Sequence, residues 1–251
     1  MNQTEEVAQT NEMENGYKVD IALVIDATGS MSPVIEWLQK NAISFGEQIK
    51  KRMEKEDKPV SQLRMRLIDF ADFETEQYDA IHESDFYTIP AEQAEFEQKV
   101  NQIEYDCRGG DIPENALEAL WVAMMSHWVD LSGQTKGRHI IILITDAPPL
   151  NLGERNGCLG YVPEDYPESV EEMERYWQGD ICRTLRLSPG NKRLILLAPE
   201  GDDGQGHSWS AVSRWENTAY LPVKSDCGGG DVDLDDVIGE ILKTTLSWGE
   251  D

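Results

Sequence analysis

An aspartate and two hydroxyl residues alternate in Asp26-Ala-Thr28-Gly-Ser30, directly after the apolar run Val19-Asp-Ile-Ala-Leu-Val-Ile25. Alternate residues of an extended turn can face the same way, so these three oxygens can converge on one point. Hard divalent cations take such ligands: Mg²⁺ accepts near-octahedral oxygens at about 2.0–2.1 Å and keeps several waters. One carboxylate with two neutral hydroxyls leaves the ion with excess positive charge, so the site seeks a further anion. Asp146 offers it, directly or through water, at the end of the apolar run Arg138-His-Ile-Ile-Ile-Leu-Ile-Thr145. A plainer use competes, because Asp26 and Ser30 are also good caps for a following helix.

The elements that must position these groups follow from periodicity. Val19–Ile25 is short and rich in β-branched residues, the pattern of a strand buried on both faces. Ser32 then reads as an N-cap and Pro33 as a first helical residue. Val34, Leu38, Ala42, Phe45, Ile49 and Met53 recur at helical spacing until Lys58-Pro59. The alternation repeats. Strands are expected at Leu63–Ile68, Arg138–Thr145, Arg193–Ala198 and Tyr220–Val223, and helices at Ala91–Glu104, Pro113–Asp130 and Glu168–Leu187. A last amphipathic helix carries Leu234, Ile238, Ile241 and Leu242. This order predicts an α/β doubly wound sheet with helices on both faces. Residues 17–248 read as a single domain behind a disordered acidic tail, 1–16, with 148–167 as an irregular insertion. Ligands in such sheets bind beyond the C-terminal strand ends, which selects the loops after Ile25, Glu104 and Thr145.

Composition narrows the partners. The 251 residues carry 22 Lys+Arg against 48 Asp+Glu, a formal charge of −26. That charge argues against nucleic acid and anionic membranes and suits a protein that binds cations. No run approaches the ~18 apolar residues of a membrane-spanning helix. The start, Met1-Asn-Gln-Thr-Glu-Glu, lacks the features of a secretory signal, so a cytoplasmic location is expected. Cys107, Cys158, Cys182 and Cys227 are widely spaced and read as free thiols.

Together, Asp26-Ala-Thr-Gly-Ser30 and the later Thr145-Asp-Ala-Pro148 resemble a von Willebrand factor type A (vWA) domain, with matching element order from about Tyr17 to Trp248. The resemblance implies a Rossmann-like, mainly parallel sheet and a metal-ion-dependent adhesion site. Asp26, Thr28 and Ser30 would be its first-loop ligands and Asp146 its third-loop carboxylate. Thr28 stands where Ser is commoner and keeps the hydroxyl. In the second loop, Gly109-Gly-Asp-Ile-Pro-Glu114 is similar to the D-x-P-E segment of integrin β subunits. By that likeness Glu114 is the second-loop ligand, and Asp111, with Asp69 and Asp72, serves a second cation such as Ca²⁺. Helix capping is the alternative for Asp111 and Glu114. Met31-Ser-Pro-Val replaces the paired acidic residues of the integrin pattern, which argues against a third cation.

The implied function is a non-enzymatic protein-binding module. Its Mg²⁺ or Mn²⁺ ion is completed by a carboxylate of a partner protein. Related intracellular domains suggest a kinase, phosphatase or AAA ATPase system as the setting. Two alternatives stand beside it: a metal-dependent hydrolase drawing on Asp69, Asp72 and Asp111, and a scaffold with a vestigial metal site. Other motifs fail. A dehalogenase-type phosphatase needs a second Asp at position 28, and Gly204-Gln-Gly-His lacks the third glycine of a dinucleotide loop. Asp231-x-Asp233-x-Asp235 lacks the later Gly and Glu of an EF-hand. His82, His127, His139 and His207 show no metal spacing and no evident partner. Trp37 and Trp121 read as packing residues, whereas Trp177 suits either the core or a partner-facing surface.

Overall fold

A computed structural model describes residues 16–105, 113–131, 136–152, 154, 166–180, 187–223 and 239. The tail 1–15, Asp111, most of the 148–167 segment and nearly all of the last predicted helix lie outside the described residues. The strands are β1 (Tyr17–Asp26), β2 (Val60–Phe70), β3 (Ile81–Glu83), β4 (Tyr87–Ile89), β5 (Gly137–Ile144), β6 (Lys192–Pro199) and β7 (Thr218–Val223). The helices are α1 (Ser32–Lys55), α2 (Phe73–Glu76), α3 (Gln93–Asn101), α4 (Ala116–Met124) and α5 (Val170–Gln178). One sheet runs β3-β2-β1-β5-β6-β7, with β4 also on β2. β1, β2, β5, β6 and β7 are parallel, whereas the short β3 and β4 run antiparallel to β2. The α/β doubly wound expectation holds. The two antiparallel strands were not foreseen, since three-residue strands give no period to read.

Period-two alternation divides the core. Ile21, Leu23, Ile25, Met65, Leu67, Ile140, Ile142, Ile195 and Leu197 face Ile35, Leu38, Phe45 and Ile49 of α1 and Phe96 of α3. Ala22, Val24, Ile68, Phe70, Ile141, Leu143, Leu194 and Leu196 face Leu117, Leu120 and Trp121 of α4 and Met173 of α5. The strands are therefore apolar on both faces, as parallel strands covered by helices must be. Trp177 belongs to this second core. It is 1% exposed, stacks on Trp215 at 6.0 Å between centroids and donates its indole N–H to Glu216 O at 2.7 Å. The partner-surface option for it falls.

Helix boundaries differ from expectation: α5 ends at Gln178, capped by Gly179 in the left-handed region, instead of running to Leu187, and two further differences have traceable causes. A 3₁₀ turn, Gly29–Met31, winds straight into α1, so Met31 is the N-cap and Ser32 the first helical residue. α4 ends at Met124 instead of Asp130. The chain beyond it is diverted to satisfy a buried charge. Asp20, fully buried on β1, accepts from Val129 N at 2.6 Å and from Arg64 Nε and NH2 at 2.8 and 2.5 Å. His139 Nε2 contacts Val129 O at 2.9 Å and fixes the same segment.

Removing one partner of a buried ion pair strands the other charge. Arg64→Met is expected to cost about 3 kcal/mol in denaturant unfolding, and adding Asp20→Asn to recover most of that loss. An additive double mutant would contradict this role for Asp20.

Candidate metal centre

β1 and β5 are parallel neighbours at the centre of the sheet, in register at Ile25 and Ile144. From β1 the chain crosses to β2 on one side, and from β5 to β6 on the other. The strand order thus reverses between them, which makes the C-terminal ends of β1 and β5 the switch point where sheets of this kind bind ligands. Asp26 and Thr145 emerge there side by side.

Asp26 is fully buried. Its Oδ1 accepts from Thr28 N at 3.0 Å and Thr28 Oγ1 at 2.7 Å, and its Oδ2 from Thr145 Oγ1 at 2.6 Å. Thr145 Oγ1 in turn accepts from Ala147 N at 3.1 Å, which aims its proton at Asp26. Ser30 Oγ donates to Asp146 Oδ1 at 3.0 Å. Both first-loop hydroxyls therefore spend their protons on carboxylates and keep lone pairs for a cation. Thr28 Oγ1 and Ser30 Oγ stand 3.2 Å apart. Adjacent ligands of an octahedron with 2.0–2.1 Å bonds are about 3 Å apart, so the pair fits one edge of a Mg²⁺ or Mn²⁺ sphere.

Electrostatics favours a cation at this point. Burial pushes the Asp26 carboxyl up to about 6, against the hydrogen bonds from Thr145 and Thr28 that lower it, and nearby Asp146 adds to the rise. The Asp146 carboxyl is also raised by burial, with Ser30 opposing. Two partly desolvated carboxylates side by side gain from a divalent ion what neither gains alone.

The other expected ligands fall in different places. Glu114 is buried, and its backbone is zipped to the loop after β5: its N–H donates to Pro148 O at 3.2 Å, and Leu150 N donates to its carbonyl at 2.8 Å. The second loop is thus held against the one that carries Asp146. Among the described residues no three His, Cys, Asp or Glu side chains group around one point. The side chains brought together at this point are the Asp26 and Asp146 carboxylates and the Thr28 and Ser30 hydroxyls. Asp69 pairs with His82 Nδ1 at 3.0 Å, and Asp72 caps α2 by accepting from Glu74 N at 2.8 Å and Thr75 Oγ1 at 3.2 Å. Asp111 lies outside the described residues.

Two features escaped the sequence reading. Thr145 is the innermost donor to Asp26, and its place directly before Asp146 was the available signal. Three of the four histidines do have ring partners: His82 has Asp69, His139 has Val129 O and Ser188 N, and His207 lies between Asp203 and Glu154. Only Asp203, four residues before His207, was close enough in sequence to suggest a pairing.

No protein-family model and no curated protein matches this sequence. Solved structures share its fold. The pilus adhesin SpaC from Lactobacillus rhamnosus GG superposes with a TM-score of 0.54 at 14% identity, over 93% of this chain and 31% of that one. The chain thus spans about a third of the length of that adhesin. The vWF domain of the type V pili tip protein Mfa5 from Porphyromonas gingivalis gives a TM-score of 0.50 at 14% identity, over 94% of this chain and 98% of that domain. The architecture is vWA-like, and identities this low speak for fold alone. Among the described residues no helix is long and apolar enough to cross a membrane.

The raised Asp26 pKa carries a stability consequence in chelator-treated protein. Between the ordinary value of 3.8 and about 6, the folded state holds a proton that the unfolded state has lost. Stability contributed by Asp26 therefore falls as pH rises through that window, by about 3 kcal/mol once complete. Asp26→Asn keeps an acceptor for Thr28 without the charge. It is expected to raise the metal-free unfolding midpoint at pH 7 and to leave it near wild type at pH 4. An equal effect at both pH values would contradict the buried-charge account.

Proposed function

We propose that this protein is a metal-dependent protein-binding module whose divalent cation, Mg²⁺ or Mn²⁺, is completed by a carboxylate from a partner protein. The observation that carries the proposal is the pair of hydroxyls, Thr28 Oγ1 and Ser30 Oγ, 3.2 Å apart, each donating to a buried carboxylate at the sheet's switch point. In this reading Thr28 and Ser30 bind the ion through oxygen lone pairs. Asp26 and Asp146 orient those hydroxyls and supply negative charge, and Glu114 is the second-loop ligand. When bound, the ion supplies a local positive charge on a chain of formal charge −26. An acidic group of the partner is then attracted where the protein alone would repel it.

Likeness of fold to a pilus adhesin and to a pilus tip domain supports a binding role. We favour binding over hydrolysis because Asp69 and Asp72 are already committed to His82 and to the cap of α2. A second cation, such as Ca²⁺ at Asp111, would have to compete with those contacts. An intracellular signalling, stress or assembly system, with a kinase, phosphatase or AAA ATPase component, is the setting we assign. The four widely spaced cysteines suit its cytoplasmic placement.

Titration calorimetry of Mn²⁺ into chelator-stripped protein is expected to show one saturable equivalent, lost in Asp26→Ala and weakened in Ser30→Ala. Affinity should fall as pH drops through about 6, because protons compete for Asp26, by about tenfold per unit well below that value. A Glu-containing peptide, and not its Gln counterpart, should displace water from the bound Mn²⁺ in proton-relaxation measurements. Binding that survives Asp26→Ala with unchanged affinity would reject the assignment.

A further inference from the structure

His207 lies in the connection after β6, 5% exposed, with a carboxylate on each ring nitrogen. Nδ1 is 2.6 Å from Asp203 Oδ2 and Nε2 is 2.5 Å from Glu154 Oε2. A carboxylate ion only accepts, and a neutral imidazole has one N–H to give. Both contacts together require the imidazolium. Asp203 belongs to the same loop as His207 and also accepts from Gln205 N at 2.8 Å, which fixes it locally. Glu154 comes from the other side, 53 residues earlier, on the stretch that leaves β5 through Asp146.

That stretch is held at three points. Trp209 Nε1 donates to Ala147 O at 3.0 Å, next to Asp146. Leu150 N donates to Glu114 O at 2.8 Å. Glu154 N donates to Asn151 O at 2.8 Å, Glu154 Oε1 accepts from Asn151 Nδ2 at 3.0 Å, and Glu154 Oε2 meets His207. The first two anchors are independent of charge. In the third, the contact to His207 is the one that depends on charge, because the ring holds Glu154 and Asp203 together only as the imidazolium.

We infer that His207 is a positioning residue for the proposed cation-binding loop, its imidazolium tethering Glu154 so that the far end of the loop that starts at Asp146 has its third anchor complete only while the ring is charged. The inference rests on the metal-centre reading above and adds a means of regulating it. Among the described residues, the charged groups that act on His207 are Asp203 from its own loop and Glu154 from the loop after β5. Burial alone would lower the ring's pKa, but the bonds to Asp203 and Glu154 outweigh it and raise the value above the ordinary 6.5. Reciprocally, the bond from His207 holds the Asp203 carboxyl at about 2 and lowers that of Glu154. The sign follows. The tether is complete below the ordinary histidine value and is lost as pH rises through the raised one.

Two readouts on the full chain test this and separate it from the metal assignment. In ¹⁵N NMR of the metal-free protein, the His207 ring is expected to titrate above the ordinary value. Glu154→Gln should lower that pKa and speed hydrogen exchange at Leu150. Titration at or below the ordinary value in wild type would overturn the inference, whatever the metal does. For function, Mn²⁺ affinity is measured by electron paramagnetic resonance from about pH 6.5 to about pH 8.5. Wild type should weaken at least about fivefold across that range, the low end of typical site-to-site coupling. His207→Gln should be weak and flat throughout, and His207→Lys, charged at every pH tested, tight and flat. Parallel profiles for wild type and His207→Gln would overturn the inference. Should wild type bind no Mn²⁺ at any pH, the metal reading fails, and the NMR arm still decides the tether.

Discussion

A carboxylate without water organises this molecule. Asp26 ends the central strand at full burial, and its charge is tolerable only because three donors converge on it: Thr28 N, Thr28 Oγ1 and Thr145 Oγ1. Each donor comes from a turn that must leave the sheet at a set angle. The Thr28 contacts wind the chain into the 3₁₀ turn that opens α1. The Thr145 contact pins the end of β5 to that of β1. Desolvation still dominates, and the residual cost is what a divalent ion can relieve.

The sheet explains why this cost can be borne here. Residues at the ends of two parallel strands are held by ladders that run the length of both, β1 and β5 pairing from Lys18–Gly137 to Ile25–Ile144. Apolar layers on both faces lock those ladders. Asp26 and Thr145, at and directly after the strand ends, are therefore placed by the whole core. Ser30 and Asp146, 116 residues apart and in the turns just beyond, meet at 3.0 Å. The loops beyond are joined by weaker devices: the Glu114–Leu150 bond, the Trp209–Ala147 bond and the His207–Glu154 ion pair.

Much of this was legible in sequence because it is written in local periods. β1, β2, β5, β6 and the body of α1 follow from runs of apolar residues at spacing two or 3.6, and Asp26, Thr28, Ser30 and Asp146 from their places at strand ends. What stayed hidden depended on long-range charge satisfaction. α4 stops early where Val129 turns to the buried Asp20 on β1. Asp69 and Asp72, read as ligands of a second ion, serve His82 and the cap of α2. Three-residue β3 and β4 carry no period at all. His207 finds Glu154 from 53 residues away, and no spacing rule connects them.

The most direct test of the proposed metal centre is anomalous diffraction from crystals grown with Mn²⁺. The account predicts one strong peak within bonding distance of both Thr28 Oγ1 and Ser30 Oγ, absent in Ser30→Ala. A peak beside Asp69 and Asp72, or none between the two hydroxyls at saturating Mn²⁺, would contradict it.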